Sequence, residues 1–147
     1  MQSRETNEEF AREQENANKG WETCYGAALK TRLKWIDQML MEGTDEVPGL
    51  RHIPGVQVFL DSEDTVDRDL ISAIGINGID FTQLTAEYYK RGITVFERVN
   101  TSLYSKRIVE SLGLTGAIRV SPLHCHSTKD IEDFLRVTAD IAATVKA

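Results

Sequence analysis

"GAIRVSPLHCHST", residues 116–128, decides how the chain is read. Ala117, Ile118 and Val120 form an apolar run suited to a buried strand, yet Arg119 sits inside it. A buried charge is costly unless it is paired. Arg119 is therefore either ion-paired to a carboxylate of its own domain or aimed at a ligand carboxylate, which the planar guanidinium holds with two parallel hydrogen bonds. Spacing alone leaves these readings equal. Beyond the proline lie His124, Cys125 and His126. In an extended segment residues 124 and 126 share a side, so two imidazoles could meet one metal ion. A zinc site needs further ligands, and His52 and Cys24 stand in unrelated segments, so no metal is expected. Cys125 reads as a small buried residue, because a nucleophile and its base are normally brought together by the fold rather than by adjacency. His124 and His126 then read as polar contacts at a strand end.

Working outward from this stretch, helical and extended patterns alternate. Ser127 with Asp130 caps a last helix whose inward stripe is Ile131, Phe134, Leu135, Thr138 and Ile141. Upstream, "ITVFERV" (93–99) is a strand, and "NTSLYSKR" (100–107) starts a helix with Ser102 as candidate cap, Ile108 and Leu112 inward and Gly113 as stop. "LISAIGI" (70–76) is a strand, and Asn77-Gly78 turns the chain. Asp80 with Gln83 caps a helix carrying Phe81, Leu84 and Tyr88 inward, which Arg91-Gly92 ends. "VQVFL" (56–60) alternates, with Val56, Val58 and Leu60 on one face and Phe59 on the other. Pro48-Gly49 and Pro54-Gly55 suit turns with glycine at positive φ. Trp21, Tyr25, Leu29, Leu33, Ile36 and Leu40 recur at three- and four-residue spacing, an amphipathic helix ended by Gly43. The acidic "DSEDTVDRD" (61–69) reads as a surface loop.

The order is helix, two strands, helix, strand, helix, strand, helix. It predicts an α+β fold, a small, mostly antiparallel sheet with helices packed on one face. Residues 1–20 are polar, either helical or disordered, and packing begins near Trp21, so residues 21–147 are expected to be one domain.

The chain has 147 residues, enough for a single core, with 41% hydrophobic and 27% charged residues. Its formal charge of -6 and the absence of a clustered basic patch argue against a nucleic-acid partner. No run approaches the ~20 apolar residues of a bilayer span, and "MQSRETNEEF" is no signal peptide, so a cytoplasmic protein without membrane contact is expected. Two cysteines give no disulfide framework. "GINGID" (75–80) lacks the Gly-Lys-Ser/Thr of a phosphate loop and reads as a turn into a capped helix. "ERVNTSLYSKR" (97–107) is dense in polar groups, and Asn100, Thr101, Ser102 and Tyr104 form either a solvated loop or one that covers a neighbouring site.

The run "FTQLTAEYYKRGITVFERV…SKRIVESLGLTGAIRVSPLHCHSTKDIEDFLRVTADIA" resembles the C-terminal small domain of class V aminotransferase-like enzymes, the pyridoxal-phosphate-dependent fold-type I proteins that include cysteine desulfurases and selenocysteine lyases. "RGI" opening a strand, "GAIRVSPLH" and "TKDIEDFL" carry the resemblance, which spans roughly residues 30–145 and is most specific over the last ~60. It implies that Arg119 binds the α-carboxylate of an amino-acid substrate and that the Asn100–Tyr104 loop lies at the active-site mouth. It also implies that the parent is a homo-oligomer. Pyridoxal phosphate would be held by the parent's large domain, through a Schiff-base lysine, an acidic partner for the ring nitrogen and a phosphate cup. No lysine here stands in a matching context, so the chain is expected to be a C-terminal piece, inactive alone and without bound cofactor, with Trp21–Leu40 the helix that joins the two domains. Desulfurases take sulfur onto a loop cysteine of this domain; the corresponding "VNTSLYSK" (99–106) has none. Lyase, epimerase or transaminase chemistry therefore fits the resemblance better than persulfide formation. The alternative is a stand-alone, non-catalytic ligand- or protein-binding module that kept the small-domain fold.

Overall fold

The computed structural model describes residues 24–62 and 70–146. The expectations for residues 1–20, for Trp21, for the side chain of Tyr25 and for most of the acidic 61–69 stretch lie outside the described residues. The elements are α1 (Cys24–Glu42), β1 (Val56–Phe59), β2 (Ser72–Ile76), α2 (Phe81–Lys90), β3 (Phe96–Val99), α3 (Lys106–Ser111), β4 (Gly116–Val120) and α4 (Thr128–Lys146). Their order is the one the sequence pattern predicts. All three strand pairings are antiparallel, and the sheet runs β1-β2-β4-β3. The fold is thus α+β, with a small antiparallel sheet. Among the described residues no helix is long and apolar enough to cross a membrane.

The register sorts the sheet residues onto two faces. Val58 pairs with Ile74 and Ile74 with Ile118, while Val56 pairs with Ile76 and Ser72 with Val120. These positions share one face, and Ile74, Ile76, Ile118 and Val120 are buried on it. Ile36 and Leu40 of α1, Leu84 and Tyr88 of α2, and Ile131, Leu135 and Ile141 of α4 belong to the same core. Burial of each large aliphatic side chain contributes about 1.5–3 kcal/mol. Tyr88 stacks on Phe134 with ring centroids 5.6 Å apart and 9° between planes. The Thr138 hydroxyl donates to the Phe134 carbonyl at 2.8 Å, so the Tyr88 hydroxyl is the donor in its own 2.8 Å bond to Thr138. Burial pushes the Tyr88 phenol well above its ordinary pKa, so it stays a neutral donor.

Capping explains where the helices begin. Asp80 Oδ1 accepts from the backbone N–H groups of Thr82 (2.9 Å) and Gln83 (3.0 Å). At α4, Ser127 and Asp130 close a reciprocal box: the Ser127 N–H donates to the Asp130 carboxylate (2.7 Å), and the Asp130 N–H donates to Ser127 Oγ (3.2 Å). The α4 stripe of Ile131, Phe134, Leu135, Thr138 and Ile141 is buried as expected. Gly43 ends α1 at φ 94, and its N–H reaches the Met39 carbonyl at 2.8 Å.

Four expectations need correction. Gly55 takes a positive φ, but Gly49 does not; Gly49 is required instead by space, since a Cβ there would strike the backbone of Met41, Glu42 and Gly43. Leu60 is not on the Val56–Val58 face: β1 ends at Phe59, and Leu60 adopts φ 53 and is exposed. Ser102 does not cap α3 through its side chain. The helix starts later, after Ser105, whose hydroxyl donates to the Val99 carbonyl at 2.9 Å and fixes the helix against β3. Consequently Val109 faces the body of the domain, while Ile108 and Leu112 are 61% and 44% exposed. Periodicity locates an apolar stripe but not the side on which the domain lies, and in so short a helix one anchoring contact decides that.

Candidate functional site

Strand alternation settles where Arg119 points. Ile118 and Val120 are buried in the core, so Arg119 between them faces the other way. It is exposed, which corrects the expectation of a guanidinium buried among its apolar neighbours. Arg119 pairs with Ala73 of β2 on one side and Phe96 of β3 on the other, and Ala73 pairs with Phe59 of β1. Phe59, Ala73, Arg119 and Phe96 therefore form one row across the face opposite the core. Phe96 is 58% exposed. Arg98 and Gln57, also on this face, are exposed as well.

Among the described residues the polar partner of Arg119 is Ser121: Nε donates to Ser121 Oγ at 3.0 Å. No carboxylate among those residues pairs with it. The intradomain ion pair, one of the two readings that spacing left equal, is not formed there. Ser121 carries no motif of its own in the sequence. Its signal was a spacing of two from Arg119 in an extended strand, which places both side chains on one face. Phe96 was missed for the same kind of reason: in "ITVFERV" it shares the outward phase of Arg98.

The Asn100–Tyr104 loop does not meet Arg119. The Asn100 N–H donates to the Thr115 carbonyl, at the opposite end of β4. Thr115 to Arg119 spans four residues of extended chain, about 13 Å. Asn100 and Ser102 are half-buried, whereas Thr101 and Tyr104 are exposed. Tyr104, Ile108 and Leu112, at four-residue spacing, all present apolar surface to solvent.

Past Arg119 the chain turns. The His126 N–H donates to the Leu123 carbonyl at 3.0 Å, and the Leu123 N–H donates to His126 Nδ1 at 2.8 Å. Residues 123–126 thus form a turn and not the extended segment that would aim both imidazoles one way. A neutral His126 then carries its proton on Nε2. Arg32 of α1, stacked over Trp35 at 4.3 Å, donates to the carbonyls of His126 (2.7 Å) and His124 (3.3 Å) and fastens the turn to the first helix. Cys125 lies at the tip of the turn and is exposed, contrary to the expected burial. Among the described residues no group of three His, Cys, Asp or Glu side chains is placed to hold a metal ion.

An open cleft of about 680 Å³ lies beside Ser121. Its walls are the segment Gly92–Val95, the end of β4 from Val120 to Pro122, and the inner side of α4 around Phe134. The β3–β4 ladder stops at Phe96 and Arg119. Continued, it would set Ile93 against Pro122, which has no N–H to give, and the strands part there. Arg91 and Arg136 reach the rim, but Glu87 holds the first and Glu132 and Asp133 the second.

These residues do not fit pyridoxal phosphate. Lys30, Lys34, Lys90, Lys106 and Lys129 are all exposed. Lys90, Lys106 and Lys129 pair with surface carboxylates, and no lysine among the described residues lines the cleft. The N-termini of α2 and α4 are occupied by the carboxylates of Asp80 and Asp130, which would repel a phosphate.

No protein-family model matches the chain, and no curated protein matches it. Ten chains of solved structures do. One is the cysteine desulfurase CsdA (S-sulfonic acid) of Escherichia coli, with a TM-score of 0.53 and 14% identity. The match covers 80% of this chain and 25% of the desulfurase, so this chain spans about a quarter of that protein's length. The likeness is one of fold.

Proposed function

We propose that the chain is the substrate-carboxylate-binding small domain of a class V aminotransferase-like, pyridoxal-phosphate-dependent enzyme that acts on an amino acid. The single observation that carries this reading is Arg119: a guanidinium on the face of the sheet away from the core, held by a neutral serine and free of a carboxylate partner among the described residues. Such a group is available for a bidentate hold on a ligand carboxylate. The fold likeness to part of a cysteine desulfurase supports the same reading.

In this reading the chain's own residues bind and orient. Arg119 fixes the α-carboxylate on a rigid strand, so that the rest of the substrate projects from the sheet in one direction. Pyridoxal phosphate, bound elsewhere in the parent, supplies the electron sink for chemistry at the α-carbon. The lysine, the acid and the phosphate cup are contributed by a large domain that the described residues do not make. Lyase, epimerase or transaminase chemistry is preferred over persulfide formation, because Asn100–Tyr104 holds no cysteine and Cys125 sits in a different turn. The exposed stripe Tyr104, Ile108 and Leu112 would be covered in an assembled, homo-oligomeric parent.

The experiment is a titration of the isotope-labelled chain with sodium acetate, followed by amide NMR. Shifts centred on Phe96, Val120 and Ser121 that vanish in Arg119→Gln are expected. Shifts that persist in Arg119→Gln would refute the clamp. Mixing the chain with pyridoxal phosphate should give no visible band that survives dialysis; a stable band would refute the assignment of the Schiff-base lysine to another domain.

A further inference from the structure

The surroundings of Arg119 specify more than a negative charge. A guanidinium can grip a carboxylate side-on, through Nε and one Nη, or end-on, through both Nη groups. Here Nε is already engaged: it donates to Ser121 Oγ at 3.0 Å. The side-on edge is therefore closed, and the Nη1–Nη2 edge remains. Ser121 also removes a rotational freedom that a free arginine would lose on binding, so part of the ordering cost is met before the ligand arrives.

The neighbours across the strands define what lies beside the carboxylate. Phe96 stands directly opposite Arg119 on β3, where cross-strand Cβ atoms are about 4.5–5.5 Å apart. Phe96 is 58% exposed. On the other side, Ala73 is too small to fill the space next to the arginine, and Phe59 lies beyond it in the same row. No acidic residue stands in this row. A ligand gripped at the Nη edge therefore has an aromatic surface on one flank and a short gap on the other.

Resting on the carboxylate-binding reading, we propose that this site takes carboxylates with an apolar substituent, with Ser121 as the positioning residue that sets an end-on grip and Phe96 as the residue that selects the substituent. Shape and charge divide the work. Arg119 binds any carboxylate, Ser121 raises the affinity for all of them equally, and Phe96 separates apolar from small substituents.

The full chain is titrated with acetate and with 3-phenylpropionate, reading amide shifts at Val120 and Ser121. 3-Phenylpropionate should bind severalfold more tightly than acetate. Phe96→Thr, which keeps strand propensity, should bring that ratio close to one. Ser121→Ala should weaken both ligands by a similar factor and keep the ratio, Ser121→Thr should restore affinity, and neither should move the urea midpoint. A ratio near one in the wild type, a ratio that survives Phe96→Thr, or a Ser121→Ala variant that binds like the wild type would overturn the proposal while leaving the clamp intact. Binding that persists in Arg119→Gln would overturn the clamp itself, and this proposal with it.

Discussion

Two adjacent residues of one strand, Ile118 and Arg119, face opposite sides of the same sheet. Ile118 is fully buried between Ile74 and the helices, while Arg119 is exposed between Ala73 and Phe96. The core face is filled by three helices and admits little change. The opposite face carries small residues at its centre, arginines at its rim and a solvent-exposed phenylalanine. The contrast teaches that core packing and, on the proposed reading, recognition are separated here by the two-residue period of a strand. Substitutions at Ile118 and Val120 should therefore be costly for folding, and on the proposed reading a substitution at Arg119 should be costly for binding.

The comparison can be broken by measuring unfolding free energies along the strand and its supports. Ile118→Ala should cost most, about 2–5 kcal/mol in urea unfolding, because neighbours from a sheet and a helix layer cannot collapse into the void. Gly116→Ala should cost about 1–3 kcal/mol, since its Cβ would strike the Phe81 ring. Thr138→Val should cost about 1–3 kcal/mol by leaving the buried Tyr88 hydroxyl without its acceptor. A Gly116→Ala variant as stable as the wild type would show that Phe81 shifts freely and that this end of the sheet is loosely packed.

Acid sharpens the same contrast at the edges. The Ser127 backbone N–H, and then its hydroxyl, hold the Asp130 carboxyl below its ordinary pKa. Hydrogen bonds from His52 and then Arg51 do the same for Glu42. A depressed folded-state pKa contributes stability above the unfolded value, and that contribution disappears as pH falls through the carboxylate range. Stability should accordingly decline on acidification, and Asp130→Ala should flatten part of the decline. A pH profile identical in Asp130→Ala would remove the capping box as its source. Arg119→Gln should have the smallest effect on stability, within about 0.5 kcal/mol, as for an exposed residue outside the core.

Much of the architecture was legible because it is local. Asp80 and the Ser127–Asp130 pair announce helix starts, Gly43, Gly92 and Gly113 announce stops, and the stripe from Ile131 to Ile141 has a helical period. What was not legible depends on which side the rest of the molecule lies. The apolar neighbours of Arg119 suggest burial, although alternation places it opposite Ile118. The apolar character of Ile108 and Leu112 points them inward, yet the Ser105–Val99 hydrogen bond turns Val109 inward instead. Cys125 has the composition of a buried residue, yet it sits at the tip of a turn that Arg32 fastens from a helix some ninety residues away in the chain. The candidate site was legible in one residue, Arg119. Ser121 and Phe96 emerge only once the register of β3 and β4 is known.

The central claim is that Arg119 serves a ligand and not the fold. Urea unfolding of the wild type and of Arg119→Gln, each with and without saturating 3-phenylpropionate, tests it in one measurement. The two proteins should unfold at the same midpoint without ligand, and only the wild type should gain stability when it is added, as expected for binding to the folded state alone. A variant destabilised in the absence of ligand, or one stabilised by the ligand as much as the wild type, would contradict the account.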